Sequence, residues 1–350
     1  MMKRGKGKSN FRFQVAVLML ACITLTLSGA CKMNSGKTKV KLNEVAHSIF
    51  YAPMYVAIEE DYFGDAGLEV ELTNGLGADK TMTALLTGEA DLGFMGSEAS
   101  IYVYQQGEED YVINFAQLTQ RAGNFLVARP DSEAAKVVDA GGNFDWSQLV
   151  GAEVIGGRPG GMPQMVLEYV LKKHGMDPKV DLTIIQNIDF GMTAQSFAAG
   201  TGDYTVEFEP GATMLEREGT GKVIASLGVE SGMVPYTAYS AKKSFLEKNP
   251  EIIEKFTAAI QKGLDYVNSH TAEEIAKVIQ PQFAETDIEI ITQIVERYQS
   301  QQTWKNDLIF EKESFELLQN ILEEAGELTE RVAYETLVNT TWAEEVISKK

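Results

Sequence analysis

Val45-Ala46-His47-Ser48-Ile49-Phe50-Tyr51-Ala52-Pro53-Met54-Tyr55-Val56-Ala57 opens a stretch that runs on to Gly96 and decides the fold. Pro53 sits where the first turn of a helix tolerates it. Met54, Ala57 and Ile58 then recur at helical spacing until Tyr62-Phe63 and the turns at Gly64 and Gly67. Leu68-Glu69-Val70-Glu71-Leu72 alternates with period two, which predicts a half-buried strand. Met82, Leu85 and Leu86 line one face of the next helix, which Gly88 stops, and Leu92 to Met95 return to a strand. The unit reads strand, helix, strand, helix, strand.

Moving outward, Ala99 to Tyr104 suits a short helix, Tyr111 to Phe115 a strand, and Phe125 to Ala128 another. Arg129-Pro130-Asp131 breaks the pattern. A second unit starts at Ala152 and repeats the first at an offset of 112 residues without a gap. Leu68, Val70 and Leu72 fall on Val180, Leu182 and Ile184, Gly88 on Gly200, Asp91 on Asp203, and the loop at Ser48 on Gly160. Two such units predict an α/β protein with two lobes, each a mostly parallel sheet flanked by helices. The expected first lobe is 39–128 with 236–350, and the second is 129–235. The rest is helical. Asn249 and Pro250 open a helix with the stripe Ile253, Phe256, Ile260, Leu264 and Val267, and Thr271/Glu274 and Thr286/Glu289 read as capping boxes. These helices are expected to pack on the first lobe.

In parallel sheets ligands sit beyond the carboxyl ends of the strands. That rule gathers the loops 47–51, 74–79, 95–98 and 119–121 against 157–163, 186–190 and 207–211, with a cleft between. The candidate ligand-binding residues are His47, Ser48, Tyr51, Gly77, Ser97, Glu98, Gln120 and Arg121 from one lobe. From the other come Arg158, Gly160, Gly161, Met162, Asn187, Phe190, Phe208 and Glu209, with Tyr236 at the return crossing and Phe125 as a further aromatic wall. Aromatic walls around a few polar groups are the composition of a small-molecule site. Gly157-Arg158-Pro159-Gly160-Gly161-Met162-Pro163 can be a tight turn or a cradle for an anionic group. It is neither a P-loop nor a dinucleotide fingerprint.

This order of motifs resembles the solute-binding proteins of ABC importers, in the periplasmic-binding-protein-like branch that serves nitrate, sulfonate, taurine and thiamine-pyrimidine precursors. Tyr55-Val56-Ala57, Tyr62-Phe63 with Gly67-Leu68-Glu69-Val70, and Leu86-Thr87-Gly88-Glu89-Ala90-Asp91-Leu92-Gly93 carry the resemblance. It implies a small-molecule solute, an ABC permease with its ATPase subunits as partners, and capture by closure of two lobes. Relatives often carry Trp-Glu-Pro where this chain has Phe208-Glu209-Pro210. The branch also contains the eukaryotic pyrimidine synthase of thiamine biosynthesis, which depends on a cysteine-rich iron motif. An enzyme of that type, or a surface protein without a small ligand, is the alternative to a binder.

The charge of −19 gives no footprint for nucleic acid. All of Lys3, Arg4, Lys6, Lys8 and Arg12 precede an apolar run from Val15 to Leu27 and the small residues Ser28-Gly29-Ala30, so residues 1–30 read as an export signal. Leu27 to Cys31 resembles the lipobox of bacterial lipoproteins, with the leucine one position early, which implies a lipidated Cys31, a tether over 31–38 and anchoring to the outer face of the membrane. The other cysteine, Cys22, lies within the signal. The three histidines, His47, His174 and His270, show no metal-ligand spacing and no serine sits in a nucleophile elbow, so no metal, cofactor or catalytic residue is expected. A monomer is expected.

Overall fold

A computed structural model describes Met1 and residues 36–349; the expected export signal, Cys22 and Cys31 lie outside the described residues, as does the side chain of Phe190. The opening unit forms Thr38–Glu44 (β1), Leu68–Asn74 (β2) and Leu92–Met95 (β3), with β1 between the other two and parallel to both. Pro53 stands in the first turn of the helix Ala52–Glu59, and Gly88 ends the helix Ala78–Thr87 at φ 79°, where a side chain would be strained. Val112–Thr119 (β4) then completes the outgoing part of the first sheet, and the chain crosses over.

The second sheet is built from Asn124–Ala128 (β5), Glu153–Ile155 (β6), Thr183–Ile185 (β7), Tyr204–Phe208 (β8) and Lys222–Ser226 (β9), before Thr237–Lys242 (β10) returns to the first. The strand orders are β2-β1-β3-β10-β4 and β7-β6-β8-β5-β9. Each sheet is mixed rather than mostly parallel throughout. β10 runs against β3 and β4, and β5 against β8 and β9, because the strand arriving from the other half enters from the opposite end. The outgoing crossing therefore lies at 120–123, before β5, and not at 129–131. Arg129 instead donates to the carbonyls of Phe197, Thr201 and Gly202 inside the second half.

The repeat is carried into hydrogen bonds. Asp91 accepts from the Lys41 N–H and donates its own N–H to the Lys41 carbonyl. Asp203, 112 residues on, does the same with Glu153, and both side-chain bonds are 2.9 Å. Aspartate suits this place because its short carboxylate reaches a neighbouring backbone donor that the parallel ladder leaves over.

Ile253, Phe256, Ile260, Leu264 and Val267 are all buried on the helix Pro250–Ser269, which packs on Ala52–Glu59. Gly263 permits this approach, since a Cβ there would lie 2.1 Å from the Pro53 carbonyl. Phe94 stacks on Tyr239 at 4.3 Å between the sheet and this layer, and each such ring contributes roughly 1.5–3 kcal/mol by burial. Thr271 and Glu274 form their capping box, whereas Thr286 and Glu289 do not, because the helix Ile288–Ser300 begins from Asp287. The side chain of Asn249 donates back to Phe245 rather than capping forward. Not every C-terminal helix stays on the first half: Lys312–Ala325 packs against Met162–Lys173, which belongs to the second.

The outgoing crossing is gripped by the chain around 298–304. Tyr298 donates to the Gly123 carbonyl, Gln301 to that of Ala122, and Gln120 to those of Gln302 and Trp304. Arg121 spans from the outgoing crossing to the Gly228 carbonyl at 3.1 Å.

Candidate functional site

β1 ends at Glu44, and the chain turns through His47 and Ser48 into a buried 3-10 turn, Ile49–Tyr51. The turn exists because Ser48 accepts the Phe50 N–H, satisfying a donor that the first turn leaves open. It places Ser48 and Tyr51 on the wall of a cavity of about 1080 Å³ between the carboxyl ends of the two sheets. Glu98 and Tyr102, from the helix Glu98–Gln105, and Tyr236, before β10, complete that wall. The facing wall is the glycine loop 157–161 with Met162, together with Glu207, Phe208 and Glu209 at the end of β8. Phe208 meets Tyr236 edge-on at 5.9 Å, so the aromatic lining is continuous across the halves.

The halves also touch through polar contacts. The Ser48 hydroxyl donates to the Glu209 carbonyl at 2.7 Å, and Tyr102 donates to that of Gly160 at 3.0 Å. Arg158 reaches over the mouth to the Leu76 carbonyl at 3.2 Å and lies 3.5 Å from Asp79. Gly77 makes room for it, since a Cβ there would stand 2.5 Å from the guanidinium. The glycine loop is braced from behind: Gln164 accepts the Gly160 N–H at 2.9 Å and donates in turn to the buried Glu168.

Of the residues expected at the site, His47, Ser48, Tyr51, Gly77, Glu98, Arg158, Gly160, Gly161, Met162, Phe208, Glu209 and Tyr236 line this cavity. Ser97, Gln120, Arg121 and Asn187 do not. Ser97 is buried beside Glu98, Gln120 and Arg121 are turned into the crossing, and Asn187 is exposed on a loop. Phe125 lies behind the wall, packed on Tyr298 and under the Arg297 guanidinium. Phe190 neighbours Gly191, which lines the cavity, but its side chain falls outside the described residues. The lining also includes Met82, Leu86, Tyr102, Thr193 and Glu327, which sequence reasoning missed, and Glu207, which it placed in a loop at the cleft without singling it out. Glu207 left a faint trace: on a period-two strand it shares a face with Thr205 and Glu209, a polar face on a strand whose residues are otherwise apolar.

Four buried glutamates, three lining the cavity and Glu44 behind His47, differ in what compensates them. Glu44 accepts from Tyr55 at 2.6 Å and from His47 Nδ1 at 2.8 Å, while His47 Nε2 donates to the Gln282 carbonyl at 2.8 Å. With an acceptor at each ring nitrogen the imidazolium is favoured, and the Glu44 contact raises the His47 pKa. Glu209 accepts from the Thr213 N–H and hydroxyl and from Arg297, so its carboxylate points away from the cavity into an ion pair. Burial raises its pKa and Arg297 opposes that. Glu207 accepts only from the hydroxyls of Thr205 and Thr193, at 2.7 and 3.0 Å, and burial pushes it up to about 7. Burial pushes Glu98 up to about 8, opposed by the backbone N–H groups of Glu98 and Met162, and its Oε2 has no hydrogen-bond partner among the described residues.

Residues 49–274 match the family model described as NMT1/THI5 like. The chain is 49% identical over 321 residues to the "Putative binding protein YtlA" of Bacillus subtilis (strain 168), covering 92% of this chain and 93% of that one. It is 25% identical over 240 residues to the 4-amino-5-hydroxymethyl-2-methylpyrimidine phosphate synthase of Aspergillus parasiticus, covering 64% of each. The solved ligand-binding component of an ABC-type import system from Staphylococcus aureus superposes with a TM-score of 0.71 at 13% identity, covering 88% of this chain and 99% of that one. At that identity the likeness is one of fold.

Proposed function

This chain belongs to the NMT1/THI5-like family, and we propose that it is the extracytoplasmic solute-binding component of an ABC importer, capturing a small organic molecule between two lobes that close on it. The lobes are the two five-stranded sheets with their helices, and they move about the crossings at 120–123 and 232–236. Among small organic molecules a nitrogen heterocycle with exocyclic amines is the preferred solute, ahead of a sulfonate, a carboxylate or nitrate. One observation carries the reading: a cavity of about 1080 Å³ with an open mouth, walled by Tyr51, Tyr102, Phe208 and Tyr236 and reached by residues of both halves. Flat apolar walls of that kind hold a planar ring, and a few buried polar atoms orient it.

Thermal shift tests the reading. After unfolding and refolding to strip any retained molecule, the protein is screened against 4-amino-5-hydroxymethyl-2-methylpyrimidine, simple aminopyrimidines, sulfonates, carboxylates and nitrate. A compound at 100 times its dissociation constant adds about 2.7 kcal/mol to the stability of the state that binds it. The binder is expected back unchanged by mass spectrometry; conversion during incubation would instead support the synthase-like alternative. If no compound in any class raises the melting temperature, the solute-binding reading fails.

A further inference from the structure

Glu98 and Glu207 stand on opposite walls of the one cavity, and each is nearly sealed from solvent, with 2% and 5% of its surface exposed. Among the described residues neither forms an ion pair with a Lys, Arg or His. The equally buried Glu209 and Glu44 do, with Arg297 and His47. Burying a carboxyl without a cation is strongly unfavourable, and a fold that needed only to be stable would place an apolar side chain there. Glu168 is a third buried glutamate without a cation, held by Gln164 behind the glycine loop; Glu98 and Glu207 are the two such acids that line the cavity.

The remaining polar geometry of the cavity points the same way. Glu98 Oε2 and the Tyr236 hydroxyl are both buried without a hydrogen-bond partner, so a donor and an acceptor site remain to be filled on that wall. Gly96 is what lets the Glu98 carboxyl fold into this position, since a Cβ there would lie 2.1 Å from Oε2. The two arginines that would recognise an anion are committed elsewhere, Arg121 to the Gly228 carbonyl and Arg158 to the Leu76 carbonyl and Asp79. Glu327 adds further negative charge to the lining.

We infer that Glu98 and Glu207 are the specificity-determining pair of this cavity, one from each wall, selecting a solute that presents amino or amidine N–H donors to both and rejecting anions. The inference rests on the reading that the cavity captures a solute, and it adds which residues choose it. Glu98, as a carboxylic acid, can donate to a ring nitrogen while its other oxygen accepts from an adjacent amine; as a carboxylate it accepts from an amidinium. The acid form pairs with a neutral N–C–NH2 edge and the carboxylate with an amidinium, and in the carboxylate form either glutamate repels a sulfonate or nitrate.

The test uses the full-length chain and its Glu98→Gln, Glu207→Gln and double variants. The probes are 4-aminopyrimidine, benzamidine, ethanesulfonate and nitrate, read by calorimetric titration at pH 7. At least one amine probe is expected to bind the parent, with each single variant losing on the order of ten- to a hundredfold in affinity. Neither anion is expected to bind. In the stripped state at pH 8 each variant should melt no lower than the parent, because an uncompensated acid has been replaced by a neutral amide of the same shape. Equal amine affinity in the parent and both single variants overturns the pair's role, as does tighter binding of an anion than of either amine. Stripped variants that melt clearly below the parent would mean the carboxyls are structural. If none of the four probes and none of the wider panel binds the parent, the solute-binding reading falls, and this inference with it.

Discussion

At the scale of single residues, the site is a set of buried acids whose protonation is tied to the folded state. Burial holds Glu98 near 8 and Glu207 near 7, against 4.5 for an ordinary glutamate, and His47 is raised by Glu44. Glu98 is surrounded by the phenols of Tyr51, Tyr102 and Tyr236 and by the Met162 N–H, and Glu207 by the hydroxyls of Thr193 and Thr205. A group whose folded pKa is raised binds its proton more tightly in the folded state. Its stabilising contribution is complete below the unfolded pKa and is lost as pH climbs through the folded one. All three groups have that sign. The stripped protein is therefore predicted to lose melting temperature between about pH 5 and pH 8, by a few kcal/mol in stability, and Glu98→Gln should remove the largest part of the slope. Urea melts at four pH values decide it: a parent curve that is flat or rises over this range sinks the account of Glu98.

At the scale of elements, the decisive feature is the pair of crossings. Each sheet borrows its fourth strand from the other half of the chain, so the two crossings pass close together, the Tyr236 N–H donating to the Thr119 carbonyl, and the outgoing one also meets Gly228 and the C-terminal grip at 298–304. Two glycines make that passage possible. A Cβ at Gly228 would lie 2.2 Å from the Ala122 carbonyl, and one at Gly123 2.4 Å from the Phe50 ring. The first obstacle is backbone and cannot swing aside; the second is a side chain fully enclosed by Tyr51, Phe208, Tyr236 and Tyr298. Gly228→Ala is predicted to cost on the order of 1–3 kcal/mol through displacement of the crossing. As a control, Gly107→Ala meets no heavy atom within 4 Å but has φ 82°, so its cost should be near 1 kcal/mol from backbone strain alone. Equilibrium unfolding of the two variants compares them directly. A Gly228→Ala variant no less stable than the Gly107→Ala control would show that the crossing has room the structure does not display.

At the scale of the whole molecule, the folded body begins at β1, and the segment read from the sequence as an export signal lies outside the described residues. The basic start, the apolar run and the small residues that stop at Cys31 motivate the prediction of a lipid anchor. Cys31→Ser is expected to move the protein from the membrane fraction to the soluble one without altering the melting temperature of the body. Membrane fractionation and a melt of the released protein check the two halves of that statement. A variant that remains with the membrane to the same extent as the parent overturns lipidation at Cys31. Among the described residues no helix is long and apolar enough to cross a membrane.

Several of these features were written in local sequence, because they depend on neighbours a few residues apart. The alternation over Leu68–Leu72, the stripe through Met82 and Leu85, the proline at the start of one helix and the glycine at the end of another follow from period, cap and turn chemistry. The offset of 112 residues was legible for a related reason: Asp91 and Asp203 serve the same hydrogen bond in two copies of one unit, so the residue type recurs where the geometry does. The rule that ligands gather at the carboxyl ends of strands then gathered His47, Ser48, Glu98, Gly160 and Glu209 at one cavity without any coordinates. What sequence could not decide was which partner a segment chooses when several are chemically equivalent. β5 reads as an edge-neutral apolar strand, and only the tertiary arrangement assigns it to the second sheet between β8 and β9. Arg121 sits in a loop at the correct end of its strand, but its long side chain can reach the cavity or the Gly228 carbonyl, and the close passage of the crossings selects the latter. Glu207 carries the reverse lesson. A glutamate on an alternating strand is ordinarily a solvated one, and only the fold, which packs Thr193 and Thr205 against it, makes it a buried acid without a counter-charge.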